Sequence, residues 1–176
     1  MTSTIRWGGL DVPLIRTAWR SRGRQPYWQT YKLKPGQSWR DAPVTPNQTE
    51  WYVFDEANGH LPVGALVAGE LISAGATEAA FVEMWGPVAF VSHNLICIPL
   101  GSVIGQIFSA AKRANGNSSA GFPDVVGVFP DGKIAFREAK RAKKDRLRPQ
   151  QHQMADVLRG LYGARVDFAV IEWDVA

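Results

Sequence analysis

The 176-residue sequence predicts an α/β fold: a mixed sheet built on a hairpin over 123–140 and a strand over 166–173, with helices near 102–114 and 149–162 packed against it. Three observations carry that expectation. Two short runs of β-branched and aromatic residues flank a Pro-Asp-Gly turn. Apolar residues recur at helical spacing in two segments bounded by cap signals. The chain is 45% apolar, enough for a domain of this length to bury a proper core.

The hairpin comes first because it places the chemistry. Val125 to Phe129 and Ile134 to Phe136 are strand-like, and Pro130-Asp131-Gly132 supplies a proline for the first corner of a type I turn and a glycine where positive φ is needed. This favours a three-residue loop with a glycine bulge. Phe129 then faces Lys133, and Asp124 faces Glu138, with facing side chains roughly 5 Å apart. Lys140 shares the face of Glu138, while the Ala139 carbonyl points toward the edge of the site. A two-residue turn would instead set Ala139 opposite Asp124. Two facing carboxylates followed by an amine can hold a divalent metal beside a phosphodiester and orient water against it, which is the equipment of a metal-dependent nuclease.

The following segments extend that reading. Residues 137–148 carry seven basic side chains against two acidic ones, a density suited to neutralising phosphates; Arg141, Lys143, Lys144, Arg146 and Arg148 are the candidate contacts. Pro149 marks the first position of a helix that runs to about Tyr162 and stops at Gly163. On it Gln151, Met154, Ala155 and Leu158 share a face, turning Gln151 toward the hairpin. Val166 to Trp173 reads as a largely buried strand.

Gly121-Phe122-Pro123-Asp124, the Glu138-Ala139-Lys140 tripeptide, and Asp145-Arg146-Leu147 followed by Gln151 resemble the VRR-NUC (virus-type replication-repair nuclease) branch of the PD-(D/E)XK nucleases. The likeness covers residues 121 to about 173. It implies a PD-(D/E)XK nuclease-like mixed sheet flanked by helices. It also implies that Asp124 and Glu138, with the Ala139 carbonyl, bind Mg²⁺ or Mn²⁺, that Lys140 positions or activates the attacking water, and that Gln151 supports the site. The small size and lack of a recognisable base-reading module suggest structure-directed or weakly sequence-selective DNA cutting, and the resemblance implies a setting in phage or mobile-element replication and repair.

The same resemblance implies a further acid on a helix ahead of Asp124. The segment 102–114 has Val103, Ile104, Ile107, Phe108 and Ala111 at helical spacing but no carboxylate, and Gln106 is its one candidate. Further back, read as a helix over 75–85, Glu78 shares a face with Phe81, Val82 and Trp85, whereas Glu83 points elsewhere. Glu78 is therefore the expected inward acid, with Glu70 as an alternative.

Charge divides the chain. Residues 1–40 hold eight Lys/Arg and one acid, 41–100 seven acids and no Lys or Arg, and 101–176 twelve Lys/Arg and eight acids. The expected organisation is a basic, aromatic-rich N-terminal extension and linker over 1–50, with a proline-containing loop at 34–50, and a nuclease-like domain over 51–176. In the arm, Arg16, Arg20, Arg22 and Arg24 alternate with Trp19, Tyr27 and Trp28, a pattern able to track phosphates and stack bases. Arg20, Arg22 and Arg24 are the nucleic-acid candidates there; the plainer reading packs the Trp residues on the domain and leaves the Arg solvated.

Other classes fare less well. His60, His93, His152 and Cys97 lack zinc-ligand spacing, and one cysteine makes no intramolecular disulfide. Residues 88–108 are apolar but interrupted by Ser92, His93, Asn94, Pro99 and Gln106, which speaks for core elements rather than a membrane span. No signal peptide follows Met1, so the expected location is intracellular, in the cytoplasm. Two alternatives remain: a degenerate nuclease fold that binds nucleic acid as an adaptor, and a restriction-type endonuclease, which would need a homo-oligomer and base-reading elements.

Overall fold

The computed structural model describes residues 3–57, 59–84 and 86–176; Trp85, assigned above to the face of Glu78, lies outside them. In chain order the strands and helices are β1 (Thr4–Trp7), β2 (Leu10–Trp19), β3 (Arg24–Trp28), β4 (Val44–Asp55), β5 (Gly59–Pro62), α1 (Val63–Ser73), β6 (Glu78–Glu83), β7 (Ala89–Ser92), β8 (Cys97–Ile98), α2 (Val103–Ala114), β9 (Val125–Val128), β10 (Ile134–Arg141), α3 (Pro149–Tyr162) and β11 (Val166–Val175). Eight strands form a mixed sheet in the order β1-β2-β11-β10-β9-β6-β7-β8, and β3-β4-β5 form a second, antiparallel sheet. β11 runs parallel to both of its neighbours, β10 and β2. Among the described residues no helix is long and apolar enough to cross a membrane.

The central strands are apolar on both faces because both are covered. On one face, Val67, Ala68 and Leu71 of α1 meet Phe81 and Val125, and the second sheet adds Tyr52, Val53 and Leu61. On the other, Ile104 and Phe108 of α2 and Met154 and Leu158 of α3 pack on Phe90, Phe136 and Phe168. Phe122, Phe136 and Leu158 are at most 2% exposed. Burying such a side chain contributes roughly 1.5–3 kcal/mol, so this packing fixes α3 against the strands it must address.

The expected helices at 102–114 and 149–162 and the strands of the hairpin are present. α2 starts after Ser102, whose side chain accepts from the Gly105 amide, and α3 spans Pro149–Tyr162 with Gly163 beyond it. Three expectations are corrected. First, 75–85 is not a helix: Glu78–Glu83 is a central strand, and Ala79, Ala80 and Phe81 are buried on alternating faces. An Ala-rich apolar run buried on both sides carries no clear period, and here pairing with β7 and β9 outweighs helix propensity. Second, the loop or linker expected over 34–50 ends at residue 43, because Val44–Asp55 is a long strand. Its Pro46 falls where the β3–β4 register shifts, between the Tyr27↔Thr45 and Pro26↔Thr49 pairs, so no ladder amide is missed there. Third, residues 4–19 are part of the main sheet rather than an appended arm, and β4 crosses the boundary drawn at residue 50.

Candidate active site

The hairpin loop fixes the register on which the site depends. Phe129 N–H donates to the Lys133 carbonyl at 2.9 Å, Gly132 N–H donates to the Phe129 carbonyl at 3.0 Å, and Gly132 has φ +81°. Val128 pairs with Ile134 and Val125 with Arg137. One step further, Asp124 stands opposite Glu138, as the three-residue loop predicts. The Asp124 carbonyl accepts from Val82 N–H at 2.8 Å, and its Oδ2 accepts from Ala139 N–H at 2.9 Å. Because the N–H and C=O of an extended residue point to the same side, the Ala139 carbonyl is directed toward Asp124 as well.

Glu138 is a buried acid, 1% exposed. Its Oε1 lies 2.7 Å from Lys140 Nζ and also accepts from Gln151 Nε2, while its Oε2 is buried without a hydrogen-bond partner. Burial, reinforced by the negative charge of Asp124, holds the Glu138 carboxyl well above its usual range, against the pull of Lys140. Burial likewise raises Asp124, with Lys140 and the Ala139 amide opposing. An ionised carboxylate oxygen without a partner is costly to bury. Two facing carboxyls so placed can share a proton or hold a cation between them.

Gln151 reaches Glu138 because the start of α3 is held in place. Arg148 N–H donates to Gln151 Oε1 at 2.9 Å, and the Trp7 indole N–H donates to the Gln151 carbonyl at 2.9 Å. Gly121 allows the approach: at φ +81°, a Cβ there would stand 2.1 Å from the Gln150 carbonyl oxygen. Asp124, Glu138, Ala139, Lys140 and Gln151 all line one cavity of about 840 Å³ at the end of the sheet.

A model of the VRR-NUC domain matches residues 76–172, more than half of the chain. The chain belongs to the VRR-NUC family. No curated protein and no solved structure matches it. VRR-NUC proteins are nucleases that act on DNA, and the matched segment runs from just before β6 into β11, taking in every residue of the acidic site. It leaves β1 to β5 and α1 outside.

Within the VRR-NUC domain the expected first acid is misplaced. Glu78 pairs with Val128, at the end of β9 opposite to Asp124, roughly 13 Å along the strand at 3.3 Å per residue. Gln106 is exposed on α2 and turns its amide to the Gly101 carbonyl at 3.0 Å. Glu70 is exposed on α1. The acid of β6 that lines the cavity is Glu83, one residue beyond the Val82 amide that binds Asp124. Alternation along β6 sets Glu83 on the face of Phe81, opposite to that of Val82 and Asp124, so it reaches the cavity from the end of the strand and no period in the sequence singles it out. Among the described residues, no three His, Cys, Asp or Glu side chains gather as a ready metal cluster.

The basic residues divide as well. Arg141, Lys144, Arg148 and, from β3, Arg24 line the cavity of Asp124. Lys143 and Arg146 line a neighbouring one of about 620 Å³. Arg20 and Arg22 line neither. Sequence reasoning missed Trp51 and gave Asp145 a place in the motif but no role; both lie at the cavity, and Asp145 Oδ2 accepts from Arg141 N–H at 3.1 Å. The histidines are structural where they have partners, His152 Nδ1 accepting from Gly8 N–H at 3.0 Å.

Proposed function

We propose that this VRR-NUC protein is a divalent-metal-dependent nuclease of the PD-(D/E)XK type that hydrolyses DNA phosphodiester bonds in a structure-directed way, in replication, repair or mobile-element biology. The observation that carries the reading is the facing Asp124–Glu138 pair, with the buried Glu138 keeping an unpartnered Oε2 and the Lys140 ammonium at its side. Oxygen-only donors at a site short of positive charge suit Mg²⁺ or Mn²⁺, held by Asp124, Glu138 and the Ala139 carbonyl. When bound, such a cation supplies Lewis-acid polarisation of phosphoryl oxygens and lowers the pKa of water.

The residues divide the remaining work. Asp124 is anchored by the Ala139 amide and Glu138 by Gln151, so neither acid has to be ordered when substrate arrives. Lys140 sits on the Glu138 side of the cavity, where its ammonium orients the attacking water or counters negative charge developing on the phosphoryl oxygens. The water oxygen forms the new bond to phosphorus as the bond to the leaving sugar oxygen breaks.

One observation favours a second reading, a nuclease fold that binds nucleic acid without cutting it: among the described residues no third acid joins Asp124 and Glu138 in a cluster, and Glu78 is remote. The deciding experiment incubates purified protein with single-stranded, duplex, flapped and four-way-junction DNA in Mg²⁺, Mn²⁺ or EDTA. Metal-dependent cleavage that disappears in Lys140→Met supports hydrolysis; binding without turnover on every substrate supports the second reading.

A further inference from the structure

Arg141 follows Lys140 directly and so turns to the opposite face of β10. There its guanidinium carbon lies 3.8 Å from the centre of the Trp51 ring and 5.9 Å from that of Trp173. Its Nε is buried without a hydrogen-bond partner, and among the described residues no carboxylate forms an ion pair with it. Its backbone is fixed by Asp145, whose Oδ2 accepts from its amide at 3.1 Å and whose own amide donates to its carbonyl at 3.0 Å. A guanidinium held against an indole has already lost the freedom that a surface arginine gives up on gripping a phosphate.

Trp51 belongs to β4, outside the segment that matches the family, and in the β3–β4 ladder it stands opposite Arg24. Arg24, Trp51 and Arg141 line the same cavity as Asp124, Glu138 and Lys140. Met84, 36% exposed, adds apolar surface to its lining. Glu50 and Glu83 line it too; the first accepts from the Trp51 amide at 2.7 Å and the second from the Thr30 hydroxyl at 3.4 Å.

We infer that Arg24, Trp51 and Arg141 form a binding site for single-stranded DNA, which carries an unpaired strand into the Asp124–Glu138 site. The inference rests on the nuclease reading and adds to it the substrate class and a wall supplied by the N-terminal strands. Two cations around an apolar and aromatic surface match phosphates flanking an unstacked base. A duplex keeps its bases stacked inside and brings only its phosphates to such a wall.

The test is fluorescence anisotropy with the full chain in Ca²⁺ at fixed salt, using a labelled oligothymidylate and a blunt duplex of equal length. Trp51→Ala, Arg24→Ala and Arg141→Lys should each weaken oligothymidylate binding by about tenfold, within the range of losing one stacking or cation–aromatic partner. Duplex binding should change much less, and Trp51→Phe should restore most of the loss. Thermal melting identifies a variant that fails to fold; should Trp51→Ala do so, Arg24→Ala and Arg141→Lys decide. Folded variants that bind oligothymidylate like the parent, or lose both ligands equally, overturn the inference. Cleavage by the parent chain is scored separately. A parent that cuts DNA while these variants bind normally sinks the strand site alone, and a parent that never cuts while they lose single-strand binding sinks hydrolysis alone.

Discussion

Lys140 and Glu138 form an ion pair of 2.7 Å that neutralises one carboxylate oxygen and leaves the other, Oε2, buried without a partner. The Lys140 ammonium therefore offsets only part of the charge on the Asp124–Glu138 pair. Both carboxyls are raised by burial first, and Glu138 further by Asp124. A carboxyl raised in the folded state makes the folded protein bind more protons than the unfolded chain. Its contribution to stability is then full below the ordinary carboxylate range near pH 4 and is lost as pH rises through the raised values.

Metal binding should reverse that loss. The gain in melting temperature on adding Mg²⁺ or Mn²⁺ is expected to grow from pH 5 to pH 8, since the ionised pair binds the cation and the protonated pair does not. Asp124→Asn and Glu138→Gln should each reduce metal affinity in calorimetry. An equal thermal gain at both pH values, with unchanged affinity in both variants, would remove the two acids as ligands.

Lys140→Met removes the ammonium while keeping most of the stem. Cleavage should fall by about two orders of magnitude or more, the scale of losing one transition-state electrostatic partner, with DNA still bound. The variant also leaves both Glu138 oxygens without a cation, so the metal-free protein should melt lower at pH 8 than the parent. Near-native turnover would make Lys140 a structural residue.

Much of this site was legible because short-range rules govern it. The Pro130-Asp131-Gly132 loop sets the register that brings Asp124 opposite Glu138, and Pro149 with Gly163 bounds the helix that carries Gln151. What was not legible depended on distant partners. Glu78–Glu83 is a strand because β7 and β9 flank it, which an Ala-rich run does not announce. Residues 10–19 join the main sheet only because the β11 edge is open to them, and Trp51 reaches Arg141 only through the packing of β4.

Gly121→Ala should damage the site without touching an acid. Its Cβ would fall 2.1 Å from the Gln150 carbonyl oxygen at a φ of +81°. The left-handed backbone alone costs roughly 1–2 kcal/mol, and the clash pushes on the turn of α3 that holds Gln151 on Glu138. Lower melting temperature together with reduced cleavage is expected. A variant with parental melting and activity would show that the close approach is not needed.

The acid of β6 provides the last prediction. Glu78 stands opposite Val128, at the end of β9 away from Asp124, whereas Glu83 lines the Asp124 cavity. Glu78→Gln should therefore cut DNA within about twofold of the parent, because a charge more than a Debye length of about 8 Å away is largely screened at physiological salt. Glu83 is closer, and its carboxylate, which accepts from the Thr30 hydroxyl, lies at the cavity mouth. Glu83→Gln removes that charge, and metal affinity and cleavage should both fall, by several-fold rather than by the orders of magnitude expected for Glu138→Gln. Parallel cleavage assays and calorimetry on the three variants give the order directly. A Glu78→Gln variant as inactive as Glu138→Gln would require the carboxylate of Glu78 to reach the site from the far end of its strand, which the β6–β9 register does not allow.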